Sequence, residues 1–152
     1  MPKGSILELK SITDLQFANE FIVVAAYQLG RILPSSMFSR KYLQRDYWII
    51  QAAQAVVAIG YVDEEKIEGV GVEGGTGYTC QMYCDLALKR GDEIRMWVFD
   101  MKTNQWMRFC KVRGWELSAA PKFERGGGID RIALIGSREI TKRGIDAIHE
   151  CF

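Results

Sequence analysis

The chain has 152 residues, a formal net charge of +1, 48% hydrophobic residues and 26% charged residues. That length and balance suit one globular domain over 1–152 and exclude a disordered or collagen-like chain. Near-neutral charge lacks the electrostatic footprint of a non-specific nucleic-acid binder, and no apolar run reaches the roughly 18 residues that a membrane span requires.

The opening MPKGSILELK has no signal-peptide pattern, so a cytoplasmic protein is expected. Ser5 to Leu9 reads as a short edge strand. Ser11, with Asp14 three residues on, forms a capping-box pattern for a first helix. In that helix Leu15, Ala18, Phe21, Ile22, Ala25, Ala26 and Leu29 recur at helical spacing, and Gly30 ends it. Arg31 to Ser36 is a loop, followed by a second helix over Met37 to Ala53. Ala55 to Ile59 is a continuous apolar run closing on Gly60, the pattern of a strand buried on both faces.

A glycine-rich passage, Gly69 to Gly77, leads into a third helix over Tyr78 to Lys89, stopped by Gly91. Ile94 to Phe99 is a second buried strand, ending at Asp100. Met101 to Asn104 is a turn, Gln105 to Val112 a returning strand, and Ala119 to Ile129 a loop. Arg131 to Ile135 is a further buried strand closing on Gly136-Ser137-Arg138, and Thr141 to Glu150 a last helix. Apolar strands alternating with helices predict an α/β fold, a three-layer Rossmann-like sandwich with a mostly parallel sheet of about four strands.

Cys80, Cys84, Cys110 and Cys151 show neither zinc-site nor disulfide spacing, and the single histidine, His149, is too distant to complete a local site. Buried reduced thiols, no metal and no cofactor are expected. The chemistry lies instead at two strand-to-helix junctions. In Gly74-Gly75-Thr76-Gly77, missing side chains let a ligand approach the backbone, and the following helix aims N–H groups and its positive pole at the same place. Gly136-Ser137-Arg138 is a second junction of this kind, with a hydroxyl and a guanidinium added. Neither fits the P-loop or the dinucleotide fingerprint.

Arg45-Asp46-Tyr47-Trp48, Ala55 to Gly60, Gly74 to Tyr78 and Trp97 to Asp100, taken in order, resemble the SLOG superfamily, which joins the DNA-processing protein DprA to the cytokinin-activating LOG enzymes. The GS-type strand that opens the domain in those proteins corresponds here to Ile132 to Arg138, near the C-terminus. The chain is therefore most similar to the circularly permuted branch, found in bacteria and phages. The resemblance places Arg45 at the family's phosphate-pairing arginine and Gly74 to Gly77 at its GGxG. It departs in three places: Glu73 replaces the proline before the double glycine, Tyr78 the threonine after it, and Gln81 the LOG catalytic glutamate.

What the resemblance implies is a protein that binds a nucleotide or nucleotide-derived small molecule. Its ligand-binding residues would be Arg45, Gly74, Gly75, Thr76, Gly77, Tyr78, Gln81, Gly136, Ser137 and Arg138. Sequestering or sensing a signal nucleotide, including a phage anti-defence role, falls within that reading. The enzyme alternative is a LOG-like nucleoside 5′-monophosphate phosphoribohydrolase. Gln81 weighs against it, because an amide is neither a general base nor a negative charge for an oxocarbenium ion, and Glu139 is the one neighbouring carboxylate able to substitute. DprA-like single-strand DNA binding is disfavoured by the net charge. The alternative for Arg45 is a solvated helix arginine, and Asp100 reads equally as a ribose ligand or a partner of turn N–H groups. Tyr47, Trp48, Tyr78 and Trp106 are core aromatics or a stacking surface. The consecutive Phe21-Ile22-Val23-Val24 makes its helix apolar nearly all round and predicts a homo-oligomer.

Overall fold

The computed structural model describes residues 12–33, 37–66, 69–124, 126–137 and 139–152, with backbone alone for 12–14 and 37–39. The expected edge strand at Ser5 to Leu9, the Ser11 cap with Asp14, and Arg138 lie outside the described residues or side chains. In chain order the elements are α1 (Ile12–Gln28), α2 (Met37–Gln51), β1 (Ala55–Gly60), α3 (Gly74–Arg90), β2 (Met96–Asp100), β3 (Gln105–Cys110), β4 (Gly114–Ser118), β5 (Ile132–Gly136) and α4 (Lys142–Glu150). The fold is α/β, as the alternation predicted. Among the described residues, no helix is long and apolar enough to cross a membrane.

The sheet has five strands in the order β4-β3-β2-β1-β5. It is mixed, which corrects the expectation of a mostly parallel sheet of about four strands. β1 runs parallel to β2 and β5, whereas β2–β3 and β3–β4 are antiparallel. A parallel return needs a crossover of a dozen or so residues. Only Met101 to Asn104 separates β2 from β3, with Asn104 at a φ of 54°, so the chain must fold straight back. The second hairpin turns at Lys111 to Arg113 and enters β4 through Gly114 at a φ of 77°. β4 escapes sequence reading because only five residues, GWELS, carry it, and three of them are polar or glycine.

β1 is buried along its whole length, as its unbroken apolar run requires. Its residues divide by parity. Val56 and Ala58 join Met96, Val98, Met107, Ala133 and Ile135 in one core with α1, α2 and α3. Val57 and Ile59 join Phe99, Trp106 and Met101 in a second, which takes in Ala147 and Cys151 from α4 and its C-terminal end. The predicted glycine stops hold: Gly30 and Gly91 adopt φ of 64° and 71° just past α1 and α3. Thr141 caps α4 by accepting the Gly144 N–H at 3.1 Å.

α3 begins four residues earlier than its apolar spacing suggested, so Gly74 to Gly77 form its first turn rather than a loop before it. The glycines there are not equivalent. A Cβ on Gly77 would stand 1.9 Å from the Val72 carbonyl oxygen, whereas one on Gly75 meets nothing within 4 Å. Gly77→Ala must therefore displace backbone and should destabilise the protein by about 1–3 kcal/mol. Gly75→Ala, which also narrows the unfolded ensemble, should be neutral or slightly stabilising. Urea unfolding of the two variants checks the contrast; equal midpoints would contradict the packing of Val72 on α3.

Candidate functional site

Gly60, Asp100 and Gly136 end the three mutually parallel strands at one edge of the sheet. The chain leaves β1 through α3 to reach β2 on one side, while β5 flanks β1 on the other. The carboxyl ends of β1 and β5 thus border the place where the winding direction reverses, the usual ligand position in open α/β sheets.

Three residues close the floor of that place. Thr76, in the first turn of α3, sets its hydroxyl 3.3 Å from that of Ser137, just past β5. Ser137 donates its hydroxyl proton to the Ile59 carbonyl at 3.1 Å, so Thr76 is the donor in the hydroxyl pair and keeps its own lone pairs as acceptors. Ser137 also gives its backbone N–H to Ile59 at 3.0 Å. A Cβ on Gly60 would lie 3.3 Å from Ser137 Oγ and 3.4 Å from Thr76 Cγ2. β1, α3 and β5 therefore meet at Gly60 with no side chain between them.

Above it stands the N-terminus of α3. The cap position is Glu73, whose side chain makes no capping bond. The first bond of the helix runs from the Gly77 N–H to the Glu73 carbonyl at 3.2 Å. Gly74, Gly75 and Thr76 thus belong to the turn whose N–H groups have no helical partner. Among the described residues, nothing lies within 4 Å of a Cβ placed on Gly74 or Gly75. Unfilled donors, the helix dipole and open space together suit an anionic group.

Arg31, which sequence reasoning assigned to a loop without a role, fastens this turn. Its guanidinium donates to the Gly74 carbonyl and to the Val72 carbonyl, both at 2.7 Å, and lies 5.2 Å above the Tyr78 ring. The only sequence signal was its position directly after the Gly30 helix stop.

The remaining expected ligand residues occupy varied places. Tyr78 is buried and donates its hydroxyl to the Ile32 carbonyl at 3.3 Å, a core role. Gln81 is buried with both ends of its amide engaged: its oxygen accepts from the Val70 N–H at 2.8 Å and its nitrogen donates to Asp85 at 3.1 Å. The Gln81 amide therefore holds the Gly69–Val70 turn against α3. Gly136 could not carry a side chain without meeting Ile140 at 2.6 Å. Arg45 is exposed on α2, with its guanidinium 4.9 Å over the Tyr42 ring and 3.8 Å from Asp46. Its link to the site is indirect: Asp46 accepts from Thr79, one turn beyond Gly75, at 3.1 Å.

Asp100 is buried at the end of β2, accepting from the Val62 and Lys102 N–H groups and the Thr103 hydroxyl. Of the two readings left open for it, the turn partner describes its contacts. Burial pushes the Cys80 thiol up to about 12 and the Cys151 thiol up to about 11. Hydrogen bonds from the backbone and side chain of Arg113 hold Cys110 below the usual thiol range.

Burial also raises the Asp46 carboxyl above its ordinary 3.8, against the opposing pull of the Thr79 hydroxyl and Arg45. A carboxyl raised on folding destabilises the folded state while it is ionised. That penalty is complete above the folded pKa and fades as pH falls through it towards the unfolded value. Asp46→Asn keeps an acceptor for Thr79 and should raise the thermal midpoint at neutral pH, with the gain disappearing below about pH 4. Calorimetry across that range checks it; a gain that grew on acidification would invert the sign of the shift.

No family model, curated protein or solved structure matches this chain.

Proposed function

We propose that this protein binds a nucleotide or nucleotide-derived small molecule, its phosphate lying over Gly74 and Gly75. The observation that carries the reading is the uncapped first turn of α3, open above those glycines, at the carboxyl ends of β1 and β5. The hydroxyl pair of Thr76 and Ser137 forms the floor beneath the phosphate. Gly136 leaves room for Ile140, Ser137 closes on β1 through its bonds to Ile59, and Arg138 is the cation that the sequence adds after Ser137. Arg45, standing on α2 beside Asp46, joins the ligand by turning its exposed guanidinium from Tyr42. The fold class in this proposal is a Rossmann-like three-layer arrangement of the permuted SLOG type, acting in the cytoplasm.

Binding without LOG-type hydrolysis is the form this function takes. The Gln81 amide is committed to Val70 and Asp85, so neither its chemistry nor its orientation serves glycosidic cleavage. Sequestering or sensing a signal nucleotide fits such a site.

Titration calorimetry with adenosine and guanosine monophosphates is the direct test. The parent should bind at least one of them, and Gly75→Val, which fills the open space, should weaken that binding at least about tenfold while leaving the fold intact. Absence of binding, or unchanged affinity in Gly75→Val, would reject the site. Release of free base at an enzymatic rate would replace the binding reading with the hydrolase.

The same proposal includes a homo-oligomer. Phe17 and Val23 are each 50% exposed on α1, Val24 46% and Tyr27 86%, large apolar side chains on one helix face that also carries the exposed Gln16 and Glu20. Light scattering should give a mass above the 17.3 kDa monomer, reduced by Val24→Glu; a monomer at high micromolar concentration would exclude this interface.

A further inference from the structure

The edge of the sheet opposite the proposed phosphate site carries a different chemistry. Residues that precede β1, β2, β4 and β5 gather there with the last residues of β3, α2 and α3. Two adjoining cavities of about 570 and 650 Å³ lie along it, sharing Gly91, Asp92 and Glu93. Together they form one groove running from the β3–β4 turn to the lead into β5. Five strands at about 4.8 Å spacing give it a length of roughly 19 Å.

Six cations line this groove, Arg90, Arg95, Arg108, Lys111, Arg113 and Arg131, against the three carboxylates of Asp92, Glu93 and Glu116. The whole chain carries only one more cation than carboxylates, 20 against 19, so the rest of the molecule is net acidic and the positive charge is concentrated here. Part of it is spent internally. Glu93 pairs with Arg95 at 3.2 Å and Arg108 at 3.6 Å, Arg113 with Glu116 at 2.8 Å, and Arg90 donates to the Gln51 carbonyl at 2.8 Å. Among the described residues, Lys111 and the Arg131 guanidinium have no carboxylate partner, and they stand at the two ends of the groove.

We infer that this amino-edge groove docks an extended acidic peptide segment of a partner protein. An extended chain sets alternate side chains about 6.6–6.8 Å apart on one side, so some three carboxylates span the groove, equal to its excess of cations. Leu88, Ile94 and Phe109 provide apolar wall between the cations in the cavity nearer the β3–β4 turn, suited to intervening side chains, whereas the other cavity is lined mainly by polar groups. The same mixed lining separates this occupant from a nucleic-acid strand. A phosphodiester backbone repeats its charge at every unit and would meet Asp92, Glu93 and Glu116, whereas a peptide can place uncharged residues opposite them.

Fluorescence anisotropy with a short labelled peptide of alternating Glu and Leu tests this on the intact protein, with labelled oligothymidylate as the competing class. The peptide should bind at low salt and weaken as salt rises. Lys111→Glu with Arg131→Glu should lower its affinity at least about tenfold, while Lys41→Glu with Lys66→Glu, the same charge change placed elsewhere, should leave it nearly unchanged. All four positions are exposed, so circular dichroism should show intact folds. Absence of peptide binding, equal loss in both double variants, or tighter binding of oligothymidylate than of the peptide would overturn the proposal.

Discussion

The constraint on which this molecule turns is the approach of β1, α3 and β5 at Gly60. Hydroxyls from two elements and the backbone of a third come together where a single added methyl would stand 3.3 Å from Ser137 and 3.4 Å from Thr76. The strand pairing does not impose this closeness by itself, since β1 and β5 would keep their ladder with a larger residue at their ends. What requires it is the seating of the first turn of α3 on the sheet edge. The Thr76–Ser137–Ile59 chain of hydrogen bonds ties that turn to both strands at once. Gly77 on the Val72 carbonyl and Arg31 on the Val72 and Gly74 carbonyls hold it from the other sides. A helix end is an accurate anion site only when its position is fixed, and here several independent contacts fix it.

The same geometry explains why glycine clusters are hard to interpret from sequence. Gly74 to Gly77 look like one loop, yet they divide into positions with opposite reasons for being glycine. Gly74 needs a φ of 64°, Gly77 needs to be small, and Gly75 needs neither. An unforced glycine beside two forced ones draws attention to the space above it. Helical periodicity missed the turn because an apolar moment has no signal where there are no side chains. Arg31 was invisible for a related reason: its partners are carbonyl oxygens more than 40 positions along the chain, and backbone acceptors leave no trace in residue identity.

Elsewhere the sequence was informative in proportion to burial. β1 and β2 were legible from their apolar runs, and α1 and α3 from spacing and end residues, because those features answer to the core directly. β5, expected to be buried, is an edge strand that buries only Ala133 and Ile135 and leaves Leu134 49% exposed, since its apolar run covers one face alone. The direction of β3 was less legible, since antiparallel return depends on the length of the Met101 to Asn104 turn rather than on any apolar pattern. β4, an edge strand with mixed residues, carries little core and correspondingly little signal. Gln81 shows the limit for single positions. Its place in a family-like pattern suggested a ligand contact, while its neighbours make it a strut under the Gly69–Val70 turn, where a Cβ on Gly69 would come within 2.6 Å of its oxygen.

The two edges of the sheet differ in the origin of their positive field. At the carboxyl edge, the favourable field comes from oriented backbone: α3 starts there without a capping side chain, and the nearest described carboxylate at that turn, Glu73, is exposed. Such a site is short-ranged and depends on fit, because backbone dipoles lose strength within about one turn of the helix end. At the amino edge the ends of α2 and α3 are negative, and basic side chains answer them: Arg90 covers the end of α2 by bonding the Gln51 carbonyl, and Lys89 with Arg90 complete α3. Full charges there reach about 8–10 Å at physiological salt and are indifferent to the exact shape of what they attract. The parallel strands align α2, α3 and α4 in one sense, with their positive poles at the carboxyl edge, while α1 runs the other way and ends at that edge, where Arg31 bonds the Gly74 and Val72 carbonyls. Of the six groove cations Arg90 serves the end of α2, while Arg95, Arg108 and Arg113 pair with Glu93 and Glu116, so the basic character of this edge comes from strand-end and turn residues as much as from the helix poles.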